Sequence, residues 1–427
     1  MKDITAILIL YPDAAAIHKA LESLKRIDSR LHSVIVLHGK DMSLTIASDY
    51  THFKQIQSII VKENDPGKTL NDIIQKINSS YVLFLHDTDY LSPAIQARSL
   101  HLIQSDSFLT TTFHNRNITV QRPLLVSATF LKKQQFLLNS QLPFKEALLP
   151  AWLSDKSSSE KLCKEGLVLQ SRRNSSATTL EKQKFMQKYQ LNKIKTTNLS
   201  LSILISNFNM EQYVETAIAS CLLQNELPEQ VLIINDGSTD NSSNRLNRWD
   251  DGNLVRIFEK ENEGKAIALN HLLPYVTSDF ILELDADDWL DPDAVSVIKE
   301  LLADLPLHTA VLYGNLRKWK QLKEDILFKG IAKGKIINGK ADILSYRLPL
   351  GPRIYLTSAL KKIGGFPVIA FKDGRLYEDV SVLNQLIKYG RFQYHDFTVY
   401  NVREHKESIT KTNRPEWNEF LKSIKEP

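Results

Sequence analysis

The chain is built on an internal repeat. Residues Tyr81 to Pro93 align without gaps to Phe280 to Pro292, and the same register pairs Leu70-Asn71 with Leu269-Asn270. With small shifts, Lys62-Glu63-Asn64 matches Lys260-Glu261-Asn262, Gly67-Lys68 matches Gly264-Lys265, and the apolar run before His38-Gly39 matches the one before Asp236-Gly237. Matches that keep this order imply two copies of one unit, each able to close its own core. Each copy reads strand, helix, strand, loop, helix, strand, the alternation of an α/β domain with a mainly parallel sheet. The 427 residues suit two such domains. We expect a first copy over 1–175, a basic helical linker over 176–197 and a second domain over 198–427.

Composition narrows the class. Apolar residues at 43%, charged ones at 24%, and only 15 Gly and 15 Pro exclude disordered, collagen-like and low-complexity chains. The 54 basic and 49 acidic residues leave +5, which carries no nucleic-acid footprint. Cys163 and Cys221 are too few for a disulfide framework or a Cys-based zinc site and suit a reducing compartment. The run Ile4 to Leu10 before Ala14-Ala15-Ala16 imitates a signal peptide, but Tyr11-Pro12-Asp13 interrupts it and its counterpart at Ile203 to Ile205 sits in mid-chain. It reads as a strand. No stretch approaches the ~18 to 20 apolar residues of a membrane span, so a cytoplasmic location is expected. In the linker and just before it, Arg172, Arg173, Lys182, Lys184 and Lys188 interleave with Phe185, Met186 and Tyr189. Its apolar stripe is expected to dock between the domains, with peripheral contact to the inner membrane face as the alternative.

In the second copy, Ile203 to Ser206, Val231 to Ile234 and Phe280 to Leu284 read as strands. Val214, Ala217, Ile218, Cys221 and Leu222 form one helix face that packs on the sheet, which makes Cys221 a core residue. Ligands of open α/β sheets bind beyond the carboxyl ends of the strands. Three polar segments stand there: Ser206-Asn207-Phe208-Asn209, Asn235-Asp236-Gly237-Ser238 and Asp285-Ala286-Asp287-Asp288. Asp285 and Asp287, two apart in extended chain, are expected to face one side. Paired carboxylates suit Mg²⁺ or Mn²⁺ shared with a diphosphate. The bland alternative is that these acids cap a helix beginning near Pro292. Asp236 is placed to accept hydrogen bonds from a base or ribose, Phe208 offers a ring for stacking, and Lys265 a cation near phosphate.

Together these residues resemble the family 2 glycosyltransferases of the GT-A fold. The resemblance runs from about Leu201 to Thr410. It includes Tyr213, Asn235 to Asp240, Glu261 to Lys265 with Leu269-Asn270, Leu284 to Asp288, Tyr377-Glu378-Asp379 and Arg403 to Ser408. It implies a hexosyltransferase that moves a sugar, with inversion, from a nucleoside-diphosphate donor, UDP-sugar favoured, to a glycan or other hydroxyl acceptor. A divalent metal, Mn²⁺ or Mg²⁺, is implied, and a role in cell-envelope or other glycan synthesis. By position, Ser206, Phe208 and Asp236 would hold the nucleoside, Asp285 the ribose or metal, and Asp287 the metal. Ser206 stands where many members have proline. Asp379 would be the general base, Lys265 and Arg403 cations near the diphosphate, and His405 a further metal or diphosphate contact. The structural alternative for Glu378-Asp379 is that acids favour the first turn of a helix. Processive members carry membrane helices and a late Gln-x-x-Arg-Trp signature, which Asn384 to Tyr389 does not continue.

The fold class expected is therefore α/β, with two tandem GT-A-like, Rossmann-related domains and mainly parallel mixed sheets. The first copy has His38 for Asp236, His86 and Thr88 for Asp285 and Asp287, and loosely Glu146-Ala147 for Glu378-Asp379. It reads as degenerate and non-catalytic, with a metal site at His86 and Asp87 or Asp89 disfavoured. A sugar-nucleotide pyrophosphorylase would need a Gly-rich loop, and Ser206 to Glu215 has no glycine. A silent nucleotide- or glycan-binding scaffold is the other alternative. Trp417 and Phe420 leave open a tail helix on the core or a homo-oligomer surface.

Overall fold

The computed structural model describes residues 2–40, 42, 55–102, 107–156, 161–171, 175–191, 197–345, 350–369, 371, 377–406 and 416–425. Arg172, Arg173, Glu407 and Ser408 lie outside the described residues. The chain divides into two compact units, Met1–Leu191 and Asn192–Pro427.

The strands of the first unit are β1 (Ile4–Ile9), β2 (Leu31–His38), β3 (Ile56–Ile60), β4 (Tyr81–His86), β5 (Asp89–Leu91), β6 (Phe108–Asn115), β7 (Ile118–Ser127), β8 (Lys161–Cys163) and β9 (Val168–Gln170). Seven form a sheet in the order β3-β2-β1-β4-β7-β6-β8, while β5 pairs with β9. All six residues of β1 are buried, because it runs parallel between β2 and β4 with both faces covered. Asp13 then caps the helix Ala14–Leu24, which buries Ile17, Ala20, Leu21 and Leu24 at helical spacing.

The second unit holds β10 (Leu201–Asn207), β11 (Gln230–Asp236), β12 (Val255–Lys260), β13 (Phe280–Asp285), β14 (Trp289–Leu290), β15 (Thr309–Gln321), β16 (Ile326–Ala332), β17 (Ile354–Leu356) and β18 (Arg391–Glu404). Their order is β12-β11-β10-β13-β17-β15-β18-β14, with β16 added on β15. The run β3-β2-β1-β4-β7-β6 thus has a counterpart in β12-β11-β10-β13-β17-β15. Four parallel strands come first in each, followed by antiparallel pairings. Registers agree too: Ile9 lies opposite His86, and Ser206 opposite Asp285. Both bodies are mixed α/β with parallel-rich sheets.

Alternation sends Ile203, Ile205, Val231, Ile233, Leu282 and Leu284 to one face of the second sheet, and Leu204, Leu232, Ile234 and Ile281 to the other. The helices Val214–Leu222 and Ala294–Ala303 cover the first face; Lys265–Leu272 and Glu378–Leu386 cover the second. Val214, Ala217, Ile218 and Cys221 are fully buried. Burial pushes the Cys221 thiol up to about 12, so it is an inert core group.

The helix Ala177–Lys188, expected as part of a linker, belongs to the first unit. Phe185 is buried with ring centroids 5.5 Å from both Phe144 and Tyr189. The buried Lys182 ammonium pairs with Glu146 at 2.9 Å. Its apolar stripe therefore faces a core, not a bilayer, because aromatic rings elsewhere in the unit offer it a partner. Among the described residues no helix is long and apolar enough to cross a membrane. Phe185→Ala should destabilise the first unit by about 3 to 5 kcal/mol in a denaturant titration, the usual loss for a buried aromatic; a freely hinged linker would lose almost nothing.

Candidate active site

The parity of β13 decides what the site contains. Glu283 and Asp285 follow Ile281 onto the face covered by the helices that begin at Lys265 and Glu378. A carboxylate buried there needs donors on every side. Glu283 Oε2 accepts from Arg353 Nε at 3.0 Å and the Tyr355 hydroxyl at 2.9 Å, while Oε1 accepts from Arg353 Nη2 at 2.9 Å and Lys265 Nζ at 2.7 Å. Burial opposes its charge, but Arg353 and Lys265 outweigh burial and hold it far below the usual carboxylate range.

Lys265 also meets Asp285 Oδ1 at 2.5 Å and Glu378 Oε1 at 3.5 Å. Burial works against its ammonium, yet Asp285, Glu283 and Glu378 keep its pKa well above the ordinary lysine value. Arg353 Nη1 reaches Asp379 Oδ2 at 3.4 Å, so one guanidinium bridges the strand carboxylate and the expected base. Burial pushes Glu378 up to about 7, with Lys265 opposing and Asp379 and Glu283 adding to the rise. Favourable placement at a helix N-terminus does not overcome that desolvation.

The rim beyond the strands is laced together. Both carboxylate oxygens of Asp236 are engaged: Lys260 Nζ at 2.9 Å and the Glu263 amide at 3.1 Å on Oδ1, and the Gly264 amide at 2.9 Å on Oδ2. Gly264 takes φ +95°, a conformation that favours glycine, and so turns its N–H towards Asp236. Asn207 donates to Asn235 and Ser238, and Asn209 accepts from the Thr239 amide at 2.7 Å, which joins the first two polar segments. Ser206 is half-buried beside Asp285, whereas Phe208 keeps its ring 41% exposed.

Asp285 and Asp287 do not stand two apart on one extended strand. The chain turns at Ala286 and Asp287, with the Asp288 amide bonded back to the Asp285 carbonyl, so the alternation of a strand ends at Asp285. Asp285 pairs with Lys265, and Asp287 Oδ2 with His405 Nε2 at 2.9 Å. Neither caps the following helix, whose first turn is preceded by Asp293. Arg403 donates from Nε to the Asp287 carbonyl and lies 4.8 Å from the ring centroids of both Tyr213 and Trp289. Its Nη2 is buried with no hydrogen-bond partner among the described residues. Asp288, raised well above the usual carboxylate range by burial and then by Asp287 and Asp285, accepts the Arg403 amide.

Among the described residues no group of three or more His, Cys, Asp or Glu is spaced to hold a metal ion. The Asp287–His405 pair supplies one carboxylate and one imidazole, which fits an ion that takes its other ligands from substrate phosphates. Sequence reasoning missed Glu283, Arg353 and Tyr355. Glu283 left a signal, a charge inside the apolar run Phe280 to Leu284; Arg353 and Tyr355 left none, because they reach it only through the antiparallel pairing of β17 with β13. Trp417 and Phe420 belong to a tail helix, Trp417–Lys425, and Phe420 packs on Tyr377 at 4.5 Å, just before Glu378.

Residues 202–363 match the family described as Glycosyl transferase family 2. Those residues carry a domain of that family. The chondroitin synthase of Pasteurella multocida strain Pm70 is 39% identical over 109 residues, 25% of this chain and 11% of that protein. The poly-beta-1,6-N-acetyl-D-glucosamine synthase of Staphylococcus aureus is 30% identical over 112 residues, 25% of this chain and 27% of that protein. The chain thus spans a small part of these relatives. S. aureus TarS 1-349 in complex with UDP aligns with TM-score 0.39 and 18% identity, over 48% of this chain and 61% of that one. The mannosyltransferase PcManGT from Pyrobaculum calidifontis, in complex with GDP-Man and Mn2+, aligns with TM-score 0.39 and 16% identity over 54% and 66%.

Arg353→Leu should cost about 3 to 5 kcal/mol in urea unfolding, since it strands the buried Glu283 charge. Adding Glu283→Leu should recover most of it. For Glu378, a raised folded pKa means stability that is full below its ordinary 4.5 and is lost as pH rises through about 7. Glu378→Gln should therefore flatten the fall in melting temperature across that window.

Proposed function

We propose that the second unit is an inverting transferase that moves a sugar from a nucleoside-diphosphate donor, UDP-sugar favoured, to a hydroxyl of a glycan or similar acceptor. What carries this reading is one sheet rim on which Asp236, Lys265, Asp285, Asp287, Arg403 and Asp379 gather within the unit that carries the family 2 domain. Phe208, exposed at the end of β10, would stack on the base. Asp236 accepts three hydrogen bonds and has capacity for about one more, from base or ribose, while it holds the loop 261–264 in shape. Ser206 lines the same edge.

Asp379 would take the acceptor proton as its oxygen attacks the anomeric carbon from the face opposite the diphosphate. Arg353 at 3.4 Å fixes where that carboxylate points. Arg403, sandwiched by Tyr213 and Trp289, would direct its unpartnered Nη2 to a phosphate oxygen. Lys265, drawn towards Asp285 in this structure, would share its charge with the diphosphate. Asp287 and His405 would hold Mn²⁺ or Mg²⁺, which supplies charge neutralisation at the leaving diphosphate.

The first unit is proposed to be a GT-A-like copy without catalysis. Arg122 engages His86 at 3.2 Å and Asp89 at 3.0 Å, and Gln170 adds a third bond to Asp89. Burial, then Arg122, lowers His86 to about 3, so the ring stays neutral. Asp89 and Arg122 are thus paired with each other, while His86 Nε2 and Arg122 Nε have no hydrogen-bond partner among the described residues.

Asp287→Ala should abolish metal-dependent nucleotide binding, whereas Asp379→Asn should bind as well as wild type and turn over about 10²-fold more slowly or worse. Calorimetry with UDP and Mn²⁺, followed by donor hydrolysis, measures both. Equal nucleotide binding by wild type and Asp287→Ala would defeat the assignment of the metal.

A further inference from the structure

The carboxylate of Asp379 is fixed from two sides. Arg353 Nη1 reaches its Oδ2 at 3.4 Å, and the Val380 amide donates to Oδ1 at 2.8 Å. The first anchor comes from the sheet and the second from the opening turn of the helix Glu378–Leu386, so the carboxylate moves with that turn. Tyr377 begins the turn in an uncommon way. A helix N-cap is ordinarily Ser, Thr, Asp or Asn, whose side chain bonds a backbone amide. Tyr377 stands at that position, makes no such bond and takes φ +62° and ψ +26°. For a bulky residue the left-handed region persists where the surroundings over-determine it. Here the Tyr377 carbonyl accepts from the Ser381 amide at 3.0 Å and the Ser381 hydroxyl at 2.8 Å. Its ring is enclosed by three others, with the centroids of Phe420, Trp417 and Phe371 at 4.5, 5.2 and 6.1 Å. Phe420 closes the group, 5.5 Å from Trp417 and 5.7 Å from Phe371.

Two of these rings come from the tail helix Trp417–Lys425. Phe420 is fully buried, yet none of the four rings belongs to either apolar cluster of the second sheet. A helix present only for stability gains most by covering a sheet face, where the apolar area is. This one sets its buried ring against the residue that precedes Glu378-Asp379. The Tyr377 phenol faces both partners: burial raises its pKa, and Glu416, just before the tail helix, and then Asp379 add to the rise.

We propose that the tail helix is part of the active site: Phe420 and Trp417 clamp Tyr377, and the clamped turn sets where the Asp379 carboxylate points. The three rings are positioning residues that touch neither donor nor acceptor. The proposal rests on the reading of Asp379 as the base. A contact between two copies of the chain is disfavoured as the use of this helix, because Phe420 is already enclosed within the second unit.

The test measures hydrolysis of UDP-N-acetylglucosamine, UDP-glucose and GDP-mannose by the full chain with Mn²⁺, alongside backbone amide exchange. Phe420→Ala should lower kcat by about 10²-fold, the scale of a small misplacement of a reacting group, at unchanged donor KM and unchanged UDP affinity in calorimetry. Phe420→Leu, which keeps most of the bulk, should recover most of that rate. Because the ring acts through the base, adding Phe420→Ala to Asp379→Asn should slow turnover no further. In amide exchange, Phe420→Ala should speed the segment 378–382 several-fold and leave β10 and β13 as in wild type. If Phe420→Ala does not fold, Trp417→Leu, which removes a half-buried ring, carries the same comparisons. Wild-type kcat with wild-type exchange would overturn the proposal. So would losses that multiply in the double variant, or a raised donor KM at unchanged kcat, which would put the rings on the substrate. A wild type that hydrolyses none of the three donors counts against the transfer reading alone, and the exchange result still decides whether the tail helix holds the turn.

Discussion

A single buried carboxylate organises the second unit. Glu283 enters the sheet's interior only because Arg353, Tyr355 and Lys265 present four donors to its two oxygens. Removing a charge from water costs several kcal/mol before such contacts offset it, so the arrangement says little about net stability. Its consequence is positional. β13, β17 and the start of the helix Lys265–Leu272 are tied at one point, and Arg353 and Lys265 continue from there to Asp379, Asp285 and Glu378. The groups that face the rim are therefore oriented by a set of contacts lying beneath it.

The first unit shows what the same strand order does without that charge. Register places Phe84 where the second unit has Glu283, with Leu124 and Val126 at the positions of Arg353 and Tyr355. All three are buried. Phe84 packs edge-on to Phe136, which stacks with Trp152 at 5.3 Å. An apolar cluster fills the space that the ionic network occupies in the other unit. Since the sheet closes with either filling, folding alone does not require the charged one. The first unit buries polar contacts of its own, among them those of Arg122 with His86 and Asp89, which leave His86 Nε2 and Arg122 Nε without a hydrogen-bond partner among the described residues.

Much of this was legible in the residues. The strands at Ile203, Val231 and Phe280, the burial of Cys221 and the placing of three polar segments at adjacent strand ends all follow from alternation and helical spacing. Two readings did not hold. Asp285 and Asp287 were expected on one side of an extended chain, yet the strand ends at Asp285 and the turn sends the two carboxylates to Lys265 and His405. The helix 177–188 was expected to bridge, yet Phe144 and Glu146 anchor it within the first unit. Both misreadings treated local pattern as if it chose its own partners.

Local sequence determined which residues face which side of each strand and helix, because side-chain direction follows from backbone period alone. It also determined that acids would stand at the ends of β11 and β13. Only the tertiary structure decided that Arg353 and Tyr355, 70 and 72 residues further along, would meet Glu283, and that Arg403 would be held between Tyr213 and Trp289. Such meetings depend on antiparallel register and on which rings and charges lie across a sheet. No window of neighbouring residues contains that information, since the energy that selects the pairing arises after the elements have packed.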